Sequence, residues 1–150
     1  MSVYRDFELH EWLQNIGYVS QEPFLFKGTL HENLTLRVPG REIDEKEVQR
    51  LIVKLELQAT LGSEPLKFPI SEGGGNLSGG QKQRIALLRA LQMQRPILIL
   101  DEATSALEAR LRGVVVDILN ERVETGCTVI VVTHDMELAA RCDTILNLST

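Results

Sequence analysis

Apolar residues along this chain follow two alternating rhythms. Ile16-Gly17-Tyr18-Val19-Ser20 reads as a short strand that ends at polar Gln21 and a turn containing Pro23. From Gly28 to Leu91 the character is helical, and Val48, Leu51, Ile52 and Leu55 recur at helical spacing within the charged stretch from Glu42 to Glu56. That spacing predicts a helix with one face packed inward. The segment from Gly62 to Gly80 is rich in Gly, Pro and Ser and predicts a loop as far as Ser78. The Ser78 hydroxyl suits the N-cap of a helix running toward Gln94, with Gly79 and Gly80 in its first turn. Pro96 breaks that helix, and a buried strand from Ile97 to Leu100 follows. A further helix runs from Leu107 to Glu124 with Leu111, Val115, Ile118 and Leu119 on one side, and Gly126 closes it. Thr128 to Val132 is a fully apolar strand ending in Thr133-His134-Asp135; a short helix and a last strand from Ile145 to Leu148 complete the pattern. Strands alternating with helices predict an α/β chain whose parallel sheet is covered on both faces.

Composition narrows the function. A chain of 150 residues with 43% hydrophobic content supports one core of ordinary size. The formal net charge of -5 argues against a nucleic-acid partner or an anionic membrane surface, although a nucleotide needs only a few local charges. The longest apolar runs, such as Val129 to Val132, are far too short to cross a bilayer. Met1 to Asp6 lacks the basic-then-apolar pattern of a secretory signal, so a cytosolic location is expected and the three formal glycosylation sequons are accidental. Cys127 and Cys142 have no disulfide or metal-ligand spacing and read as buried small hydrophobes. His10-Glu11 and His31-Glu32 begin like a zinc-binding helix, but Gln14 and Thr35 stand where the second histidine belongs, so both read as surface histidines.

Parallel sheets bind ligands beyond the carboxyl ends of their strands, and three strands here end in polar residues: Gln21, the pair Asp101-Glu102, and His134. Two acids ending a buried strand are costly without a cation or donors, and a magnesium ion supplies one reason for them. Asp101 would hold it through water, and Glu102 would orient and deprotonate a water for attack on a γ-phosphate. Taken alone, such a pair serves equally well as the cap of the next helix. Ser78-Gly79-Gly80 offers backbone N–H groups, a positive dipole end and a hydroxyl, which suit a phosphate oxygen. His134 after the Val129 to Thr133 strand would suit hydrogen bonding to a γ-phosphate, although a lone histidine at a strand end is more often incidental. Arg84 and Arg89 on the helix after the glycines would steer anions or, more commonly for such positions, are solvated helix charges, and neither is given a role. No Gly-Lys dipeptide occurs in the sequence, so the G-x-x-x-x-G-K-[ST] phosphate loop is missing from it. Gly75 to Lys82 is a near miss, with Gln81 where the lysine should stand and no apolar strand ahead of it.

Leu77-Ser78-Gly79-Gly80-Gln81 resembles the signature motif of ATP-binding-cassette (ABC) ATPases, and Ile97 to Glu102 resembles their Walker B motif. With Gln21 after a strand, Ser105-Ala106-Leu107, and His134, all in the family's order, the chain resembles an ABC nucleotide-binding domain throughout its length. Gln21 to Thr29 with Glu32-Asn33, and Glu72 to Asn76, are similar to the exporter class. The resemblance implies an incomplete P-loop NTPase (RecA-like) parallel sheet core with an inserted α-helical subdomain. Residues 1–22 would be a partial core strand and Q-loop, 23–92 the α-helical signature subdomain, and 93–150 the core with Walker B, D-loop and H-loop.

It further implies ATP and Mg2+ as ligands, with Asp101 and Gln21 at the metal and Glu102 and His134 catalytic. Ser78, Gly79, Gly80 and Gln81 would contact, in trans, ATP held by a second nucleotide-binding domain in a head-to-tail dimer. Ser105, Ala106, Leu107 and Glu108 would form the D-loop, where Glu108 replaces the usual Asp. The partners implied are that second domain and an exporter's transmembrane domain at the cytosolic face of a membrane, with no nucleic acid. The Walker A loop and an adenine-stacking aromatic are expected upstream of Met1. The Walker A strand would lie between the His134 strand and the Ile145 strand, so its absence should leave an open edge and an isolated chain with little ATPase activity. The competing readings are a non-catalytic module donating its signature loop to a complete ABC domain, and a metal-dependent hydrolase built on Asp101, Glu102 and His134.

Overall fold

In a computed structural model, which describes residues 9–147 and their side chains from Trp12 onward, twelve regular elements follow one another. They are α1 (Leu9–Gln14), β1 (Ile16–Val19), β2 (Gly28–Thr29), α2 (Leu30–Thr35), α3 (Glu45–Lys54), α4 (Gln58–Leu61), β3 (Pro69–Ile70), α5 (Gly79–Gln92), β4 (Ile97–Asp101), α6 (Ala109–Glu124), β5 (Thr128–Val132) and α7 (Met136–Ala139). The main sheet is parallel in the order β1-β4-β5, with Tyr18, Ile99 and Ile130 in register across it.

Because that order advances in one direction only, right-handed crossovers carry both connections over the same face. On that face Val19, Leu98 and Leu100 are buried, Val129 and Val131 partly so, and all pack into one core with residues of α5 and α6. The opposite face presents Tyr18, Ile130 and Val132, at 54%, 47% and 49% exposure. The expected covering of both faces is therefore absent among the described residues. A sheet gains helices on its second face only where the strand order reverses, and no reversal occurs here. β4 consequently alternates between buried and half-buried positions, and β5 between half-buried and exposed ones, rather than being buried throughout.

The helical portion packs as its periodicity predicts. Asp44 caps α3 by accepting from the Lys46 and Glu47 N–H groups, and Val48, Leu51 and Ile52 are buried with Leu55 just beyond the helix. α6 buries Leu111, Val115, Ile118 and Leu119, but it begins at Ala109, two residues later than expected, because Glu108 is extended. α5 stops at Gln92, two residues short of Gln94, which sits in the left-handed region with φ +49.

The expected loop from Gly62 to Gly80 contains short turns at Pro65–Lys67 and Glu72–Gly74, and β3, which pairs antiparallel with β2 through Gly28↔Ile70. Two-residue strands are too short to leave an alternating pattern. Ile145 to Asn147 form no strand, since no neighbouring ladder reaches them, and Leu148 lies outside the described residues. The N-terminal segment read for a signal and the His10 side chain lie outside them as well. Cys127 is half-buried and Cys142 exposed, so the second is not the buried hydrophobe expected. His31 is on the surface, as expected.

Candidate functional site

β4 and β5 bring the predicted acids and histidine together. At the end of β4, Asp101 accepts from the Tyr18 hydroxyl at 3.0 Å through Oδ2. Tyr18 lies on β1, two residues back from the position opposite Asp101, so the contact runs along the uncovered sheet face. That bond to a carboxylate raises the Tyr18 pKa, because it favours the protonated phenol.

Glu102 then adopts φ +50, a left-handed conformation that a glutamate enters only under constraint. Its N–H donates to the Val132 carbonyl at 2.9 Å, which extends the β4–β5 ladder by one bond. Its side chain reaches the loop after β5. The His134 N–H donates to Glu102 Oε1 at 2.9 Å, and His134 Nδ1 lies 2.8 Å from the same oxygen. The Glu102 side chain is 18% exposed and the His134 side chain 83%, so the carboxylate is sheltered while the imidazole faces outward. With Nδ1–H given to Glu102, the neutral ring keeps only a lone pair at Nε2. Donation from Nε2 to a phosphate therefore requires either the imidazolium or release of the Glu102 contact.

The start of α5 is closed by a reciprocal cap. The Gln81 N–H donates to Ser78 Oγ at 3.2 Å, and the Ser78 N–H to Gln81 Oε1 at 2.8 Å. Gln81 Nε2 also donates to Thr60 Oγ1 at 3.0 Å, so both ends of the Gln81 amide hold the helix start to the fold. What remains are the Gly79 and Gly80 amides, which an α-helix leaves without intrahelical partners, and the Ser78 hydroxyl proton. A Cβ at Gly79 would meet nothing within 4 Å, while one at Gly80 would lie 3.4 Å from the Ala106 carbonyl oxygen. The signature helix thus starts against the turn after β4.

In that turn the Ser105 N–H donates to Glu102 O at 3.1 Å and the Leu107 N–H to Thr104 O at 3.0 Å. Ala103, Thr104 and Leu107 are buried, while Ser105, Ala106 and Glu108 are exposed. Gln83, 1% exposed on α5, accepts from the Ala106 N–H at 3.0 Å and donates toward Glu102 O at 3.4 Å. Sequence reasoning singles out neither Gln83 nor Tyr18; the one available signal is a polar residue between Ile85 and the glycines on an otherwise apolar helix face.

Gln21 lies exposed two residues beyond β1. The loop that follows it is firmly held: Leu25 is fully buried, and buried Asn33 accepts from the Phe26 N–H at 3.1 Å and donates to the carbonyls of Phe26 and Thr29 at 3.0 and 3.1 Å. Arg89 donates to Phe24 O at 3.0 Å, and Arg84 to the carbonyls of Leu55 and Glu56 at 3.2 and 3.0 Å. These arginines are tethers and not the solvated charges expected. Burial lowers the Arg89 pKa, in keeping with a guanidinium enclosed by packed chain.

Among the described residues no three His, Cys, Asp or Glu side chains are grouped to hold a metal ion. The arrangement fits magnesium, which takes one or two carboxylates together with nucleotide phosphates, and Asp101 retains Oδ1 for it beside the Tyr18 contact. The open amides and free hydroxyl proton at Ser78–Gly80 fit a phosphate oxygen.

Residues 3–105 match the family model described as ABC transporter. The chain is 43% identical over 134 residues to the ATP-dependent permease MDL1, mitochondrial, of Saccharomyces cerevisiae, a match covering 87% of this chain and 19% of that protein. It is 37% identical over 146 residues to the lactococcin-G-processing and transport ATP-binding protein LagD of Lactococcus lactis subsp. lactis, covering 96% of this chain and 20% of that one. A bacterial Atm1-family ABC exporter, solved with ATP bound, matches the fold with a TM-score of 0.72 at 29% identity, over 85% of this chain and 22% of that chain. The chain thus spans about a fifth of the length of these relatives. With the family model covering well over half of its residues, and with the strand-end acids and the capped Ser-Gly-Gly helix in place, the chain belongs to the ABC transporter family, as nucleotide-binding-domain sequence of the exporter class.

Proposed function

We propose that this chain forms part of an ATP-hydrolysing unit of an exporter, coupling Mg-ATP hydrolysis to transport across a membrane from its cytosolic face. The observation that carries the reading is the contact of Glu102 with His134 beside Asp101, at the carboxyl ends of adjacent parallel strands. When bound, Mg-ATP supplies the γ-phosphoryl group and the cation that neutralises its developing charge. Asp101, held by Tyr18, and Gln21 would hold the cation. Glu102 would orient and deprotonate the attacking water, and His134 would donate from Nε2 to the γ-phosphate as the imidazolium or once its Nδ1 has left Glu102. The Gly79 and Gly80 amides with the Ser78 hydroxyl would receive the phosphate of a nucleotide bound to a second, head-to-tail domain. Ser105 to Glu108 would face that partner as the D-loop. Exposed Gln21 and Phe24 would meet the transmembrane domain.

A second reading makes the chain a non-catalytic donor of its signature loop. The observation behind it is the capping box at Ser78, which leaves the Gly79 and Gly80 amides and the Ser78 hydroxyl proton open at the start of α5. Both are tested by measuring ATP turnover of the chain alone and mixed with a complete exporter ATPase domain. Little turnover alone, a rise on mixing, and loss of that rise with Ser78→Arg are expected. If Glu102→Gln in this chain also lowers the rise, its own acids take part. A rise indifferent to Glu102→Gln makes the chain a donor only. Robust turnover by the chain alone that vanishes in Glu102→Gln would overturn the expectation of inactivity in isolation.

A further inference from the structure

Gln83 stands apart from the residues given a role above. It is 1% exposed, yet both ends of its amide are used: Oε1 accepts from the Ala106 N–H at 3.0 Å and Nε2 donates toward Glu102 O at 3.4 Å. A buried amide with neither end satisfied would be costly, so its placement ties α5 to the turn after β4. The same helix begins with Ser78, Gly79 and Gly80, and Gly80 itself lies close to the Ala106 carbonyl. The turn it grips carries Glu102, whose side chain is on His134. A continuous path therefore runs from the start of α5 through one buried amide to the backbone that aims Glu102.

We infer that Gln83 is a positioning residue that couples the Ser78–Gly80 helix start to the Glu102–Ala106 turn, so that a ligand seated on one is felt at the other. The inference rests on the proposed reading, in which Ser78–Gly80 face a nucleotide held by the opposing domain while Glu102 acts on the nucleotide at its own strand ends. Gln83 then links the two nucleotide sites of a head-to-tail pair within a single chain. The link is short: one helix, one side-chain amide and one hydrogen-bonded turn.

Residue-resolved amide hydrogen exchange on the chain tests this without nucleotide or a second domain, so the tether is judged even where the trans reading of Ser78–Gly80 fails. Gln83→Met keeps the length of the side chain and removes both hydrogen bonds. It should speed exchange at the Ala106 amide by about tenfold, the size expected for one lost bond, while Leu100 in the centre of the sheet is unaffected. Gln83→Glu retains an acceptor for Ala106 but sets an oxygen against the Glu102 carbonyl, so Ala106 exchange should fall between that of the parent and that of Gln83→Met. Ser78→Ala should speed Ala106 exchange when Gln83 is present and add nothing in Gln83→Met. Unchanged Ala106 exchange in Gln83→Met, equal acceleration at Leu100, or a Ser78→Ala effect identical in both backgrounds would each overturn the inference. Should Gln83→Met fail to fold, Gln83→Asn, which withdraws the same amide by one methylene, takes its place.

Discussion

Glu102 and His134 are 32 positions apart in sequence, and a single carboxylate oxygen accepts from both the backbone and the ring of the histidine. The residue types are legible in the sequence, since acids and a histidine at the ends of apolar strands stand where a parallel sheet binds its ligands. Their contact is not, because it depends on β4 and β5 being neighbours. Tyr18 and Gln83 are illegible for a related reason: a tyrosine in a strand and a glutamine in a helix are ordinary until the tertiary partner is known. The cysteines show the converse error. Cys142 is exposed while Cys127 is half-buried, with its thiol pKa raised by burial. A raised pKa leaves less thiolate at any given pH, so thiol-specific alkylation near pH 8 should modify Cys142 first and Cys127 markedly later. Mass-spectrometric time courses would show this, and equal rates at the two sites would refute it.

At the scale of the element, α5 concentrates the architecture. Its first turn carries the cap, and Gln83, Arg84, Arg89 and Gln92 reach successively to the turn after β4, the end of α3, the loop after β1 and the end of α2. The helix start is legible because Ser before two glycines and Gln three residues on is a capping signal. Its tethers are not, because polar residues on a helix look solvated until the neighbouring carbonyls are placed. The cap also separates folding from function. Ser78→Ala should cost about 1 kcal/mol in denaturant unfolding. Ser78→Asp retains the cap acceptor and suits the positive helix end, so stability should stay within about 0.5 kcal/mol of the parent. The added carboxylate repels a phosphate, so stimulation of a complete ATPase domain should nevertheless be lost. Stimulation surviving in Ser78→Asp would argue that the helix start does not meet a phosphate.

For the whole molecule the decisive feature is asymmetry. One sheet face holds the core, the other exposes Tyr18, Ile130 and Val132, and β5 is an open edge among the described residues. An apolar face beside an unpaired edge invites association. Ile130→Lys, which places a charge on that face, should reduce light scattering on concentration and leave unfolding within about 1 kcal/mol of the parent. Scattering unchanged by the lysine would show that this face is not where chains meet.

The sequence by itself determined the three strands of the main sheet, the longer helices and the cap of α5 at Ser78, because each follows from local spacing and side-chain type; the two-residue strands β2 and β3 left no such pattern, and the strand expected from Ile145 did not form. Only the tertiary structure decided which strands adjoin, and with that the Glu102–His134 and Tyr18–Asp101 contacts, the bare second face and the Gln83 tether. Those depend on strand order, and strand order is a property of long-range packing that no local window of residues contains.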